Sequence, residues 1–523
     1  MERALTVRFS YRSGRAALTT AAVTLLVMMS IGCQQKPATT TTGPAATVAS
    51  PPRPYLEGWD RPAAALMLSG EQYGYLEPCG CSLTQSGGLA RRARLEALLR
   101  EKGWALAGLD LGSTLKRARR QDQVKFEAIL SGLKEIGYKA VGAGTAELHL
   151  PPDYLLSQFA EGEGISLGGM LISANVTLFD TPDLGVPQRF KVFELGGKKM
   201  GVTAVLGKKG AEEVAPAGVQ TNIAVQDPIA AIEAVLPALT AEQPDLLVLL
   251  AHGSTDEAKA WAEKFPQFQV VLTAGGPEDP GDKPIQIGKT WVIEAGHKGK
   301  HVGILGYYPD ATPPLKWELI QLDNVRFEND PRMDLLMKNY QQQLQDLDLA
   351  RSDELLVPHP SGDKFVGAKV CGECHKKAFA KWEKSKHAHA FDSLSKGRKG
   401  QEATWISRIY DPDCLACHVT GWDPQNVLRF DSGYLDQAST AHLIGQQCEN
   451  CHGPGAKHTD LERAFQKDLK SVDKDTLMAA RAATKLNSAT AEKQVCHKCH
   501  DYENSPKFEF KKYWEEIRHP WKD

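Results

Sequence analysis

The chain has 523 residues, 24% charged and 42% hydrophobic, with a formal net charge of −2. That balance excludes a disordered or fibrous chain, and it offers no basic field for nucleic acid or an anionic membrane surface. The length calls for two or three domains.

Residues 1–33 have the form of an export leader. Arg3, Arg8, Arg12 and Arg15 precede an uncharged apolar run over 16–31, which ends at Gly32-Cys33. The run is shorter than the ~20 apolar residues of a membrane-spanning helix, so a cleaved signal is expected. Ser30-Ile31-Gly32-Cys33 resembles a bacterial lipobox, although Ser30 stands where the pattern usually has an aliphatic residue. The resemblance implies that Cys33 carries a diacylglycerol and becomes the mature N-terminus. Gln34, rather than Asp, resembles the outer-membrane sorting pattern, so the expected location is periplasm-facing and lipid-anchored, at the outer membrane rather than the inner. Residues 34–57 are rich in Thr, Ala and Pro, with threonine at every position of 39–42. They carry too little apolar surface to fold and read as a flexible tether.

Over 58–325 short apolar runs alternate with amphipathic stretches, the pattern of an α/β domain. Strands are expected over 63–68, 104–109, 246–251, 270–273, 291–294 and 302–308, with a hairpin of 190–195 and 199–206 turning at Gly196-Gly197. Helices are expected over 89–102, 124–136, 228–239 and 255–264.

Several segments here resemble the 5'-nucleotidase branch of the calcineurin-like metallophosphatases. They are Leu66-Met-Leu-Ser-Gly-Glu71-Gln-Tyr73, Leu109-Asp110-Leu-Gly112-Ser113, Gly142-Ala-Gly144-Thr145-Ala146-Glu147, Leu249-Leu-Ala-His252-Gly253, Thr273-Ala-Gly-Gly276 and Glu294-Ala-Gly296-His297-Lys-Gly-Lys-His301. The resemblance implies a β-sandwich flanked by helices. In that family two metals activate water, held by Asp-x-His, Gly-Asp, Gly-Asn-His-Glu, a lone His and Gly-His-x-His. The corresponding positions here are Glu71 and Tyr73, Ser113, Thr145 and Ala146, His252, and Gly276; among these only His252 clearly keeps a ligand. Too few ligands remain for two cations, so no phosphoesterase activity is expected and the domain reads as a scaffold or docking module. Cys79-Gly80-Cys81 complicates this reading, since the two thiols could form a disulfide, bind a soft metal with or without His252, or act as a redox pair.

Residues 326–360 read as a connecting helix over 333–350 and a linker that breaks at Val357-Pro358-His359-Pro360-Ser361-Gly362. The last region, 361–523, holds four Cys-x-x-Cys-His motifs: Cys371, Cys374 and His375; Cys414, Cys417 and His418; Cys448, Cys451 and His452; Cys496, Cys499 and His500. In each, two thiols can bind one haem covalently and the histidine can ligate its iron. Zinc knuckles need no histidine at that fixed place, and all four copies have one. Of the 11 cysteines, eight are in these motifs; Cys33, Cys79 and Cys81 are the rest. Four covalently bound haem c groups are therefore expected, in a mainly helical, loop-rich tetrahaem cytochrome c domain whose porphyrins replace most of an ordinary apolar core.

Phe365-Val-Gly-Ala-Lys-Val-Cys371, Trp382-x-x-Ser385-x-His387-Ala388 and Cys448-Glu-x-Cys-His452-Gly453-Pro454-Gly455-x-x-His458 resemble the cytochrome c-554 type of multihaem domain. The resemblance implies electron transfer among closely packed, mostly bis-histidine haems. It implies distal ligation by His387 and His458. His519 is the next candidate, and His442, ahead of His389, the fourth; His359 and His497 read as bystanders. Partners of this class are periplasmic redox proteins or quinol-linked membrane complexes, with the membrane reached through the lipid and no nucleic acid. The rival reading is a multihaem oxidoreductase that acts on a small nitrogen or sulfur compound at one five-coordinate haem. A hydrolase with a metal site rebuilt near Cys79, Cys81 and His252 is a third.

Overall fold

The computed structural model describes residues 53–78, 85–160, 167–182, 184–216, 218–219, 221–397, 400 and 402–519. The leader with Cys33, most of the tether, and Cys79 and Cys81 lie outside them. Two six-stranded sheets form the α/β region. One runs, edge to edge, Leu315–Gln321, His301–Tyr307, Ala64–Ser69, Leu106–Asp110, Tyr138–Gly142 and Leu171–Ile172. The other runs Ile285–Ile287, Thr290–Glu294, Val270–Thr273, Leu246–His252, Lys198–Leu206 and Phe190–Leu195.

Parallel pairing joins the central strands, which are buried on both faces and so read as unbroken apolar runs. Alternate side chains serve different layers. Leu66, Leu68, Leu109, Val202, Val248 and Leu250 meet between the sheets. Met67 and Leu106 instead cluster with Leu89, Phe126 and Met333 from the helices Leu89–Glu101, Arg120–Ile136 and Pro331–Leu347. On the far side, Leu247, Leu249 and Ala251 cluster with Ile232 and Trp261 of the helices Pro228–Ala241 and Thr255–Lys264. The result is a β-sandwich flanked by helices.

All the strands and helices expected over 58–325 are present, with ends displaced by four residues at most. The Gly196-Gly197 hairpin has both glycines at left-handed φ (61° and 75°), as a tight primed turn requires. Tyr138–Gly142 and Leu315–Gln321 fall outside the expected set. The first is a five-residue strand between glycines, and the second is an edge strand whose middle residues are only half-buried. The helix expected to connect the two regions is Pro331–Leu347, and it belongs to the outer helical layer. Met333, Met337, Tyr340 and Leu344 recur on one face and are buried there.

Both regions lie in one compact unit, Pro52–Asp523. Regular structure is sparse after Pro331–Leu347, and the helices Lys376–Glu383, Ala456–Lys467 and Phe510–Ile517 bury no residue. The expectation that porphyrin replaces most of the apolar core is corrected in part. The cluster behind the first sheet continues through Leu355, Phe365, Phe391, Leu394, Leu415, Trp422 and Leu443, so the haem-motif region grows out of the α/β core. Among the described residues no helix is long and apolar enough to cross a membrane.

Candidate haem site

Each motif lies on a short helical turn, because a cysteine and the histidine four residues later stack on one face of such a turn. The His375 N–H donates to the Cys371 carbonyl (2.9 Å) and that of His500 to Cys496 (2.8 Å). The other two motifs fall in Pro412–His418 and Cys448–His452, the former capped by Asp411, whose carboxylate accepts from the Asp413 N–H at 3.1 Å. No disulfide joins these eight cysteines, and they line, with the four motif histidines, a single cavity of about 2480 Å³. That exceeds the ~300–1,000 Å³ of a pocket for one small ligand.

Three motif histidines face a second histidine across this space. The ring centroids of His375 and His458 are 6.5 Å apart, those of His500 and His387 6.0 Å, and those of His452 and His519 5.8 Å. Two imidazoles sharing one metal at bonds of ~2.0 Å place their centroids about 6 Å apart, so the three pairs fit an iron between them. The outer nitrogens are held by neighbours: His452 Nδ1 lies 2.7 Å from the Thr484 carbonyl, His418 Nδ1 2.7 Å from that of Ala390, and His500 Nδ1 2.9 Å from Ser505 Oγ. Such contacts fix the tautomer and turn Nε2 towards the cavity. Burial lowers the pKa of His387, His452 and His458. His500 is pushed down to about 4, first by burial and then by His387. These rings are neutral at neutral pH, the form that binds iron.

Contacts between thiols order the attachment sites. Cys371 and Cys448 interact, as do Cys417 with Cys499 and Cys451 with Cys496. The spatial order is first, third, fourth, second. Residues around the third motif tie this row together. Glu449 accepts the N–H groups of Val366 (2.9 Å), Gly367 (2.7 Å) and Gly455 (2.8 Å), and burial pushes its carboxyl pKa up despite them. Gln447 accepts from the Ala368 N–H (2.5 Å), and Gln446 donates to the Cys417 carbonyl (2.7 Å). Sequence analysis did not single out these three; a buried acid inside a Cys-x-x-Cys-His motif was the available signal.

The remaining histidines are placed differently. His442 sits on the exposed turn Ala441–Leu443, its carbonyl taken by Gln447, and its side chain is not part of the cavity wall. His389 and His359 line the cavity; His389 Nδ1 stands 3.4 Å from Asp392, and His359 lies edge-on to Phe365 and Phe430. His497 Nδ1 is 3.1 Å from the His500 carbonyl.

The residues that carry the metallophosphatase resemblance lie at the ends of the central strands. Ser113 Oγ lies 2.7 Å from His252 Nε2, and Glu71 Oε1 lies 3.0 Å from the same nitrogen. Glu71 Oε1 has no well-directed donor, so the second contact is electrostatic, and the Tyr73 hydroxyl donates to the other oxygen. Burial lowers the His252 pKa, but Glu71 and Glu147 outweigh it and the net shift is upward. Glu147, beside Thr145 and Ala146, is taken up by the N–H groups of Ser113 (2.9 Å) and Thr114 (2.5 Å). At Gly276 an added Cβ would stand 2.7 Å from the Glu294 side chain. Glu71, Tyr73 and Ser113 have left-handed φ of 51°, 48° and 53°, each worth about 1–3 kcal/mol of strain. Among the described residues no group of three or more His, Cys, Asp or Glu is arranged to hold a metal ion.

Residues 370–453 match the family described as Cytochrome c554 and c-prime. Over 154 residues the chain is 32% identical to cytochrome c-554 of Nitrosomonas europaea, covering 27% of this chain and 60% of that protein, so the chain spans about 60% of the length of this curated relative. Solved structures similar to it include a 5'-nucleotidase precursor from Thermus thermophilus, at 20% identity and TM-score 0.46, covering 54% of this chain and 59% of that one. The NAD nucleotidase of Haemophilus influenzae is similar at 15% identity and TM-score 0.44, covering 63% and 68%.

Proposed function

Given that its C-terminal region has the makings of a multihaem c-type cytochrome, we propose that the chain is a tetrahaem electron relay with a catalytically silent α/β region. The observation that carries this is the set of three facing histidine pairs in one cavity lined by all four motifs. His375 with His458, His500 with His387, and His452 with His519 would hold three of the irons, and the eight thiols would anchor the haems. Bound haem would supply an Fe(III)/Fe(II) couple, which these neutral imidazoles would hold. The chain's part is to hold these groups in the row first, third, fourth, second.

In this proposal the chain is exported, anchored through Cys33 and served by periplasmic redox proteins or a quinol-linked membrane complex. The α/β region serves as scaffold, its former ligand positions being occupied by internal contacts of Glu71, Ser113, Glu147 and His252.

The test is haem quantitation and electron paramagnetic resonance on the oxidised protein. Four haems per chain are expected, at least three of them low-spin from the facing histidine pairs. Fewer than four, or four copies of a high-spin signal, would overturn the relay. A single high-spin component that shifts with hydroxylamine or nitrite would replace it with an oxidoreductase.

A further inference from the structure

The α/β region meets the haem row towards one end, where Lys298 pairs with Glu503 just beyond the fourth motif. At the first motif, the other end, Cys374 and His375 are exposed. At the second motif the α/β region supplies cations to a charge cluster that is partly buried. Lys125 Nζ donates to Asp413 Oδ2 (2.5 Å) and Arg117 Nη1 to Asp413 Oδ1 (3.1 Å), and Asp413 immediately precedes Cys414. Gln121 and Gln341 both donate to Asp411, at 2.8 and 2.9 Å. Lys125 is 9% exposed, yet it lines the cavity together with Arg117, Asp411 and Asp413.

A buried lysine is rare, and a buried ion pair is a poor way to glue two surfaces, since apolar residues of similar size commonly do as well or better. Charge at low dielectric does act strongly on a neighbouring group that changes charge, as a haem does on reduction. The geometry points to Lys125 as a positioning residue for electron flow: it raises the reduction potential of the haem on Cys414 and Cys417, and so directs electrons towards the covered end of the row. This gives the α/β region a function as an electrostatic regulator of its own cytochrome. It rests on the tetrahaem reading.

The sign follows from electrostatics. A cation disfavours the ferric state, so its removal lowers the potential, and removal of the neighbouring carboxylate raises it. The experiment is a spectroelectrochemical titration of the full chain carrying Lys125→Met, Lys125→Arg or Asp413→Asn, after haem quantitation of each. Lys125→Met is expected to move one of four one-electron steps to lower potential, with about a tenfold change in the oxidised-to-reduced ratio at fixed potential. Asp413→Asn moves the same step upward, and Lys125→Arg leaves it in place. Lys381→Gln, on the exposed helix Lys376–Glu383 that follows the first motif, leaves that step in place as well. Four haems with no step displaced by Lys125→Met, or a lowered melting temperature as the only effect, would show a merely structural ion pair and overturn the inference. Fewer than four haems in the unsubstituted protein would instead overturn the reading beneath it.

Discussion

The two regions of this molecule solve the problem of burial in opposite ways. In the α/β region the strands carry their own core, with Leu66, Leu109, Val248 and Leu250 almost wholly removed from water between the sheets. In the haem-motif region three helices bury nothing, and Trp382, Trp514 and Ile517 face a cavity large enough for several cofactors. Apolar side chains worth ~1.5–3 kcal/mol each when buried stabilise the first region unaided. The second has polar ties such as Glu449 and Gln447 and an interior completed only by what binds there. A region whose core is completed by a cofactor is stabilised by that cofactor, as structural metal sites are.

The largest expected effect tests this contrast directly. Chain produced without haem attachment, or with the eight motif cysteines replaced by alanine, should lose protection over 364–519 while the two sheets stay folded. Hydrogen exchange read by mass spectrometry checks it, and full protection of Ala456–Lys467 in haem-free protein would break the comparison.

A smaller effect isolates the polar ties. Glu449→Ala leaves three N–H groups without this acceptor, those of Gly367 and Gly455 buried and that of Val366 partly so. It should destabilise the haem-motif region by about 2–4 kcal/mol, seen as an earlier unfolding step by Soret absorbance, with the α/β transition in place. A single unshifted transition would show that the haems alone hold those loops.

The smallest concerns the join between the regions. Burial alone would raise the Asp413 carboxyl, but Lys125 and Arg117 outweigh it and hold its pKa at about 2, below its ordinary 3.8. The contribution is therefore complete above the unfolded value and is lost as pH falls from about 4 towards 2. It amounts to about 1–2 kcal/mol once the carboxylate's partial exposure is allowed for. Denaturant titrations at pH 3 and pH 5 should differ less in Asp413→Asn than in the unsubstituted protein; equal differences would remove Asp413 from the acid response.

The pattern of the α/β region was legible because its strands are buried on both faces and read as apolar runs, and because Gly196-Gly197 can hardly be anything but a turn. Edge strands such as Leu315–Gln321 were not, since half-buried positions carry no strong period. The haem anchors were legible for a local reason: cysteine and histidine must share one helical turn, and that is written in spacing. The partners of those histidines were legible only as candidates. His458 lies six residues from His452 yet faces His375, and His519 crosses to His452.

Local chemistry is what the sequence by itself determined here: two periodicities and four attachment motifs. Only the tertiary structure decided which motif adjoins which, that Glu449 and Gln447 bind them together, and that Lys125 reaches Asp413 across 288 residues of chain. The physical reason is that spacing along a helix constrains neighbours within a turn, whereas contacts between distant segments depend on how whole layers pack, and no short stretch of sequence carries that information.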